Sequence, residues 1–324
     1  MAAGFLLQPF LIPAALTSKG IFMNDLTIEQ KKYRIGFLFA LIGTALFSIK
    51  AIFIKLAFIE GVDATIILTL RMLISFPFYL LILFYALNKR GASAAIFNKP
   101  DLFFIFILGF FGYYLAAYLD FEGLFYVSAQ LERLTLFTYP IMVALLSWIF
   151  FREKITLSVW RALFLSYLGI SLLYFNDDAS QLNQNRGLGI ALVATAALSF
   201  SFYVIFSKKF IGRYGSIIFT SMAMSSSTFF ILVHFSLTHQ MVDLNVSSTT
   251  WFLCALLAIF STVIPSFFLS EAIHLLGATK TGIIGSLGPV FTIGLAVVIL
   301  GEDFGWNHFG GLFLVLIGVS FIRK

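Results

Sequence analysis

The chain has 324 residues, long enough for two soluble domains of roughly 150 residues each. Yet 60% of it is hydrophobic and only 11% charged, against roughly 25% charged in an ordinary soluble protein, so too little polar surface remains to cover a water-soluble globule. The formal net charge of +6 does not indicate nucleic acid, because the basic residues lie dispersed in small groups between apolar runs, the distribution that the positive-inside rule produces.

The composition predicts an all-α integral membrane protein, and the elements follow in chain order. Residues 1–34 read as a cytoplasmic N-terminal segment. FLLQPFLIPAAL at 5–16 is apolar, but it is too short to span a bilayer and is interrupted by Pro9 and Pro13. It lacks a basic leader, so it makes a poor signal peptide. From Ile35 ten apolar runs follow, near 35–57, 65–87, 102–120, 124–150 and 158–175, then 188–207, 216–237, 251–273, 279–300 and 306–322. Continuous runs of about 20 residues are helix length, whereas membrane barrel strands need only about 10. With the N-terminus inside, the loop lysines and arginines fall on the inner side, Arg186 alone lying outside. Both termini are therefore expected in the cytoplasm of a plasma-type or inner membrane.

The runs divide into two copies, 35–175 and 187–322. A shift of 149 residues lays Glu122 on Glu271, Pro140 on Pro289, Glu153 on Glu302 and Gly169 on Gly318. Near the start of each copy, a shift of 151 aligns Gly36, Thr44 and Ser48 with Gly187, Thr195 and Ser199. Each copy holds an odd number of runs, so the second must enter the membrane in the opposite direction. The expected fold is ten transmembrane helices as two inverted five-helix repeats. Halves so related can open outward or inward at similar free energy, which is the basis of alternating access; a duplication that merely enlarged the bundle is the alternative.

Charges inside hydrocarbon cost about 2.5–3.5 kcal/mol each even on lenient scales, so Lys50, Arg71, Glu132 and Arg133 stand out. At 1.5 Å per residue Lys50 lies roughly 22 Å from the inner surface, while Arg71, Glu132 and Arg133 lie about 9 Å from the outer one. The four share one depth. Three cations against one acid leave a surplus of two positive charges, which favours an anionic or zwitterionic ligand whose carboxylate or phosphate completes the pairing. The structural alternative is that Glu132 pairs with Lys50 or Arg71 to lock helices while Arg133 snorkels outward. Neighbouring positions point about 100° apart on a helix, so Glu132 and Arg133 cannot face one partner squarely. Tyr114 and Tyr118 are candidate cavity-lining residues, and Tyr126 fits an interfacial belt. On the inner side Glu271 and His274 are three apart on one helix face beside Lys280. With Glu132 they are the candidates for proton coupling, histidine being able to titrate near neutral pH; an ion pair in the headgroup region is the plainer alternative.

The prolines add a backbone argument. Pro140 cannot donate to the carbonyl of Leu136, nor Pro289 to that of Gly285, so each helix should bend and leave a carbonyl for protein, water or ligand to satisfy. Gly282, Gly285 and Gly288 precede Pro289, where Glu132, Thr135 and Thr138 precede Pro140, so the two halves should not open identically. Other chemistries find no footing. The single Cys254 makes neither a disulfide nor a cysteine metal site, and the four histidines are scattered. There is no HExxH or GxSxG, and GATKTG at 277–282 lacks the glycine before Lys280 that a phosphate loop requires. No catalytic residue, cofactor, metal or nucleic-acid partner is expected. The expected partners are a small-molecule substrate and the lipid bilayer, with protons as candidate coupling ion.

YPIMVALLSWIFFRE at 139–153 and GPVFTIGLAVVILGE at 288–302 each run through a proline and an apolar stretch to a glutamate thirteen residues beyond it. With SAQLERLTLFTYP at 128–140 they resemble the EamA-type members of the drug/metabolite transporter superfamily, and the resemblance covers about residues 35–322. It implies a ten-helix fold with cytoplasmic termini and a central cavity lined by the first, third and fourth helices of each half. It also implies efflux or uptake of small metabolites, commonly amino acids. The resulting expectation is a secondary transporter of anionic or zwitterionic metabolites, working as an exporter by alternating access. A passive channel and a membrane-embedded lipid-modifying enzyme are the alternatives.

Overall fold

The computed structural model describes residues 19–90, 98–152, 157–176, 185–276, 281, 284–285 and 287–321, and among these it is helical without a strand. The elements are α1 (Lys19–Ser48), α2 (Lys50–Ile59), α3 (Ala64–Arg90), α4 (Lys99–Gly109), a π-helix over Phe110–Leu115, α5 (Ala116–Tyr126), α6 (Ala129–Leu136), α7 (Tyr139–Phe151) and α8 (Leu157–Asn176). There follow α9 (Arg186–Tyr214), α10 (Ser216–Thr238), a 3-10 turn over Met241–Leu244, α11 (Ser248–Ala258), a π-helix over Ile259–Val263, α12 (Ile264–Leu276), α13 (Gly288–Leu295), a π-helix over Ala296–Leu300 and α14 (Trp306–Ser320).

Among the described residues, seven helical runs are long and apolar enough to cross a bilayer: Gln30–Ile59, Ala64–Lys89, Lys99–Tyr126, Ala129–Phe151, Arg186–Tyr214, Ser216–Thr238 and Ser248–Ile273. Val159–Leu172, Gly288–Leu300 and Trp306–Gly318 are shorter apolar helices. Large apolar side chains such as Phe84, Phe103, Trp148, Phe164 and Phe229 stand exposed on the outside of the bundle. A lipid-facing surface needs such groups, since hydrocarbon rather than water surrounds it.

Two expectations about boundaries are corrected. The polar lead-in before Ile35 belongs to a helix, because α1 begins at Lys19; residues 1–18 lie outside the described residues. The third run does not stop at Asp120. Helix continues to Tyr126, and the turn falls at Val127–Ser128, where the Ser128 hydroxyl accepts the Leu131 N–H at 3.2 Å and starts α6. Ending the run at Asp120 left Glu122 beyond it, when both lie within the helix.

The helices pair across the two halves of the sequence: α1 packs on α12, α3 on α10, α5 on α9 and α8 on α14. Contacts are close where glycine removes a side chain. A Cβ on Gly169 would lie 2.6 Å from the Gly311 carbonyl oxygen, and one on Gly318 would lie 2.7 Å from Ser166 Oγ. Small residues at crossings let backbones approach and gain dispersion contacts that lipid tails cannot supply. Polar contacts add to this at the helix ends. Asp101 at the start of α4 accepts from Arg213 Nη1 at 2.5 Å and from the Tyr214 hydroxyl at 2.7 Å at the end of α9.

Three local features recur at the offset of 149. The π-helices begin at Phe110 and Ile259, the helices carrying the prolines begin after Thr138 and Leu287, and left-handed residues end the following apolar stretches at Arg152 (φ 56°) and Gly301 (φ 67°). The correspondence is incomplete. The first run breaks at Ile49, between α1 and α2, whereas α9 is continuous from Arg186 to Tyr214.

Candidate functional site

Five ionisable side chains gather where broken helices meet. Lys50 opens α2, Arg71 lies on α3, Asp120 on α5, and Glu132 and Arg133 on α6; all are buried, with residue exposures from 0% to 8%. Charges at that burial stay only when paired or hydrogen-bonded. Lys50 donates through Nζ to Asp120 Oδ2, and Glu132 Oε1 lies 3.6 Å from the same ammonium. Asp120 Oδ1 and both Glu132 oxygens accept no hydrogen bond among the described residues.

Arg133 points elsewhere, as neighbouring positions on a helix must. Its Nη2 donates to Ser48 Oγ at 3.2 Å and its guanidinium stacks 5.4 Å from the Phe47 ring centroid, while Nε has no partner. The expectation that Arg133 snorkels is therefore overturned, because Ser48 and Phe47 hold it inside the bundle. Arg71 stacks 4.9 Å from the centroid of Phe121, with Nη2 3.6 Å from the Met72 sulfur and Nε unpartnered. The surplus of two positive charges is also corrected. Asp120 brings the acids to two against three cations, leaving one positive charge if all five are ionised.

The backbone around this cluster is held by long-range contacts. Ser48 Oγ donates to the Thr44 carbonyl at 2.7 Å and approaches the Gly288 carbonyl at 3.1 Å, while Thr292 Oγ1 donates to the Ser48 carbonyl at 3.0 Å. The break at Ile49 thus has its freed groups answered by α13, which itself begins after a break. Buried backbone groups released by a broken helix need such partners inside hydrocarbon. The start of α6 is served similarly: Glu302 Oε1 accepts the Ala129 N–H at 2.7 Å and Oε2 the Gln130 N–H at 3.2 Å. A carboxylate there satisfies two orphan donors and complements the helix dipole.

Pro140 and Pro289 each occupy the first turn after a break, in α7 and α13. Gly285 precedes the second break, with nothing within 4 Å of where its Cβ would be, while Gly282 lies outside the described residues. Tyr114 and Tyr118 are not brought to the charged cluster by any ring contact. They stack on each other and meet the His234 ring on α10, at centroid distances of 5.9 and 4.7 Å. Glu271 is exposed on α12; the side chain of His274 and all of Lys280 lie outside the described residues. A cavity of about 330 Å³ lies between α7, α8 and α9, lined by Thr138, Met142, Leu145, Leu163, Tyr167 and Thr195 among others. None of the five ionisable residues lines it.

Sequence reasoning missed Asp120 and the contact between Ser48 and Gly288. For Asp120 a signal was present: the apolar run resumes at Leu124–Val127, and Ser128 is a natural N-cap. The Ser48–Gly288 contact leaves no local mark, since it forms across 240 positions.

Comparisons with known proteins agree on one family. The model of the EamA-like transporter family matches residues 34–175 and again 187–324. The uncharacterized transporter YcbK of Bacillus subtilis is 28% identical over 305 residues, covering 90% of this chain and 96% of that protein. An uncharacterized transporter of Archaeoglobus fulgidus is 27% identical over 228 residues, covering 69% of this chain and 78% of that one. A protein of known crystal structure aligns with a TM-score of 0.60 at 16% identity over 88% of this chain and 95% of its own; at that identity the likeness is one of fold.

Proposed function

Starting from a chain that belongs to the EamA-like transporter family and spans the membrane several times, we propose that it exports small anionic or zwitterionic organic metabolites by alternating access. The observation that carries this reading is the buried cluster of Lys50, Arg71, Asp120, Glu132 and Arg133, set where α1, α6 and α13 end or begin inside the bundle. Ionisable groups within a membrane bundle mark substrate and ion paths, and broken helices supply main-chain groups at the same depth. The decisive experiment has two stages. Metabolite profiles of cells lacking and overproducing the protein identify the cargo, and counterflow of that cargo is then measured in proteoliposomes. A carrier accelerates uptake against an internal load of the same compound; leak without such exchange indicates a channel.

The transport cycle rests on ten helices forming two inverted repeats, both termini cytoplasmic. The family match in two blocks and the features spaced by 149 residues support it. Single cysteines placed at Glu153 and Glu302 in a Cys254→Ser background are expected to react with an impermeant thiol reagent from opposite faces. Labelling of both from one face overturns the inversion.

Protons are the proposed coupling ion, with Glu132 as carrier and Glu271 and His274 as a second candidate pair. Glu132→Gln is expected to flatten the pH dependence of transport, and Glu271→Gln to do so only if the inner pair takes part. Unchanged profiles for both remove protons from the cycle.

A further inference from the structure

We propose that the cavity between α7, α8 and α9 binds one acyl chain of a membrane phospholipid, laid lengthwise along α7. The site depends on the chain spanning a bilayer and not on what it carries across.

The groove begins at Thr138, beside the break between α6 and α7, and follows α7 through Met142 and Leu145 to Ile149. At 1.5 Å per residue that path is roughly 16 Å long. It matches the depth of one leaflet, half of a hydrocarbon core about 30 Å thick. The volume of about 330 Å³ suits the same occupant. An apolar cavity of about 150 Å³ takes one six-carbon ring, so this one takes a chain of roughly a dozen carbons. Ile141 and Leu146 line its buried floor, while Ile149, Tyr167 and Leu198 stand 59%, 52% and 38% exposed at its rim. Helices thus bound the groove on three sides, and the fourth opens on the lipid-facing surface beside Trp148 and Phe164.

The lining excludes the other occupants. The Thr138 and Thr195 hydroxyls each donate to a carbonyl of their own chain, those of Thr135 and Ala191, both at 2.7 Å. The lining carries no charged side chain among the described residues, so an ionised cargo finds no counter-charge there. Water would meet mostly isoleucine, leucine and methionine, and a bare void forfeits dispersion contacts along its walls. Hydrocarbon from the surrounding bilayer satisfies all three conditions. Arg152 follows α7 and Arg161 lies near the start of α8, both exposed, at the end of the groove where such a chain carries its headgroup. Guanidinium groups there suit the phosphate of the same molecule. At its other end the chain rests against Thr138, which joins α7 to the helix that carries Glu132 and Arg133. The lipid therefore braces the joint beside the charged cluster.

The test titrates the delipidated full chain in detergent with dioleoyl phosphatidylglycerol, read by native mass spectrometry and by the unfolding midpoint. Wild type is expected to retain one phospholipid under activation that strips the rest, and its midpoint should rise with lipid. Ala194→Phe places a ring in the groove from α9 and should weaken retention about tenfold or more, as the loss of roughly two buried methylenes does; its midpoint should no longer respond. Should that variant fail to fold, Leu198→Trp obstructs the same groove from its rim, with the same loss expected. Leu232→Trp, equally exposed on α10 and outside the groove, should bind as wild type does. No retained lipid in wild type, full retention by either obstructed variant, or equal loss in Leu232→Trp overturns the proposal. Decanoate supplies a chain without a phosphate; if it displaces the phospholipid at equal concentration, the groove serves an aliphatic cargo and the proposal also falls.

Discussion

Lys50→Met is expected to destabilise the folded protein by about 3–5 kcal/mol, the cost of removing one partner from a buried ion pair, read as a lower unfolding midpoint in detergent and a reduced yield of monodisperse protein. The reason is what the substitution leaves behind. Asp120 and Glu132, buried at 2% and 0% exposure, lose the ammonium that faces both. The double variant Lys50→Met, Asp120→Asn should recover part of the loss, because one of the two stranded carboxylates is gone; no recovery would mean that the pair is not coupled. From sequence alone, Lys50 and Arg133 look alike, and loss of either should impair transport while sparing the fold. The contacts separate them. Lys50 ties the start of α2 to α5 and α6, so its removal should harm folding first, whereas Arg133 has no acid to strand and its removal should spare the fold.

Gly109→Ala is expected to cost about 1–3 kcal/mol by overpacking and to lower transport with it. The new Cβ would lie 2.5 Å from the Ala223 carbonyl oxygen and 2.7 Å from Ser226 Cβ on α10. A main-chain oxygen cannot swing aside as the tip of a long side chain can, so α4 or α10 must shift. α4 continues through the π-helix into α5, which carries Asp120, so the displacement reaches the charged cluster. Gly212→Ala and Gly294→Ala serve as controls, since both are helical with nothing within 4 Å of the added atom. There the higher helix propensity of alanine should raise stability by up to about 1 kcal/mol. Equal effects at all three positions would show that the crossing of α4 and α10 tolerates separation.

Much of the fold is legible because the bilayer imposes one strong rule: a segment that crosses it must be long, apolar and internally hydrogen-bonded. The prolines were legible for an equally local reason, since Pro140 and Pro289 lack the N–H that a continuous helix requires. The break at Ile49 has neither proline nor glycine beside it. It is held by Thr292 on the Ser48 carbonyl and by Gly288 and Arg133 at the Ser48 hydroxyl, so no window of sequence around Ser48 reveals it. Tyr114 and Tyr118 show the opposite failure. Their positions on the third run are plain, yet they meet His234 and Phe230 rather than the charged cluster, because side-chain direction depends on the rotation that the π-helix at Phe110–Leu115 imposes.

What the sequence determined by itself was the solvent, the class of structure and the presence of costly charges in its interior, since each follows from composition and from spacing along one chain. The doubled pattern was also written there, as pairs such as Pro140 with Pro289. Only the tertiary structure decided which charges neutralise one another. Whether a lysine is a lock or a ligand contact depends on the acids within a few ångströms of it, and those come from helices distant in sequence. Asp120 meets Lys50 across 70 positions, and Ser48 joins Arg133 to the Gly288 carbonyl across 85 and 240. Electrostatic energy falls with distance in space, not along the chain, so the division of labour among like residues is settled by packing.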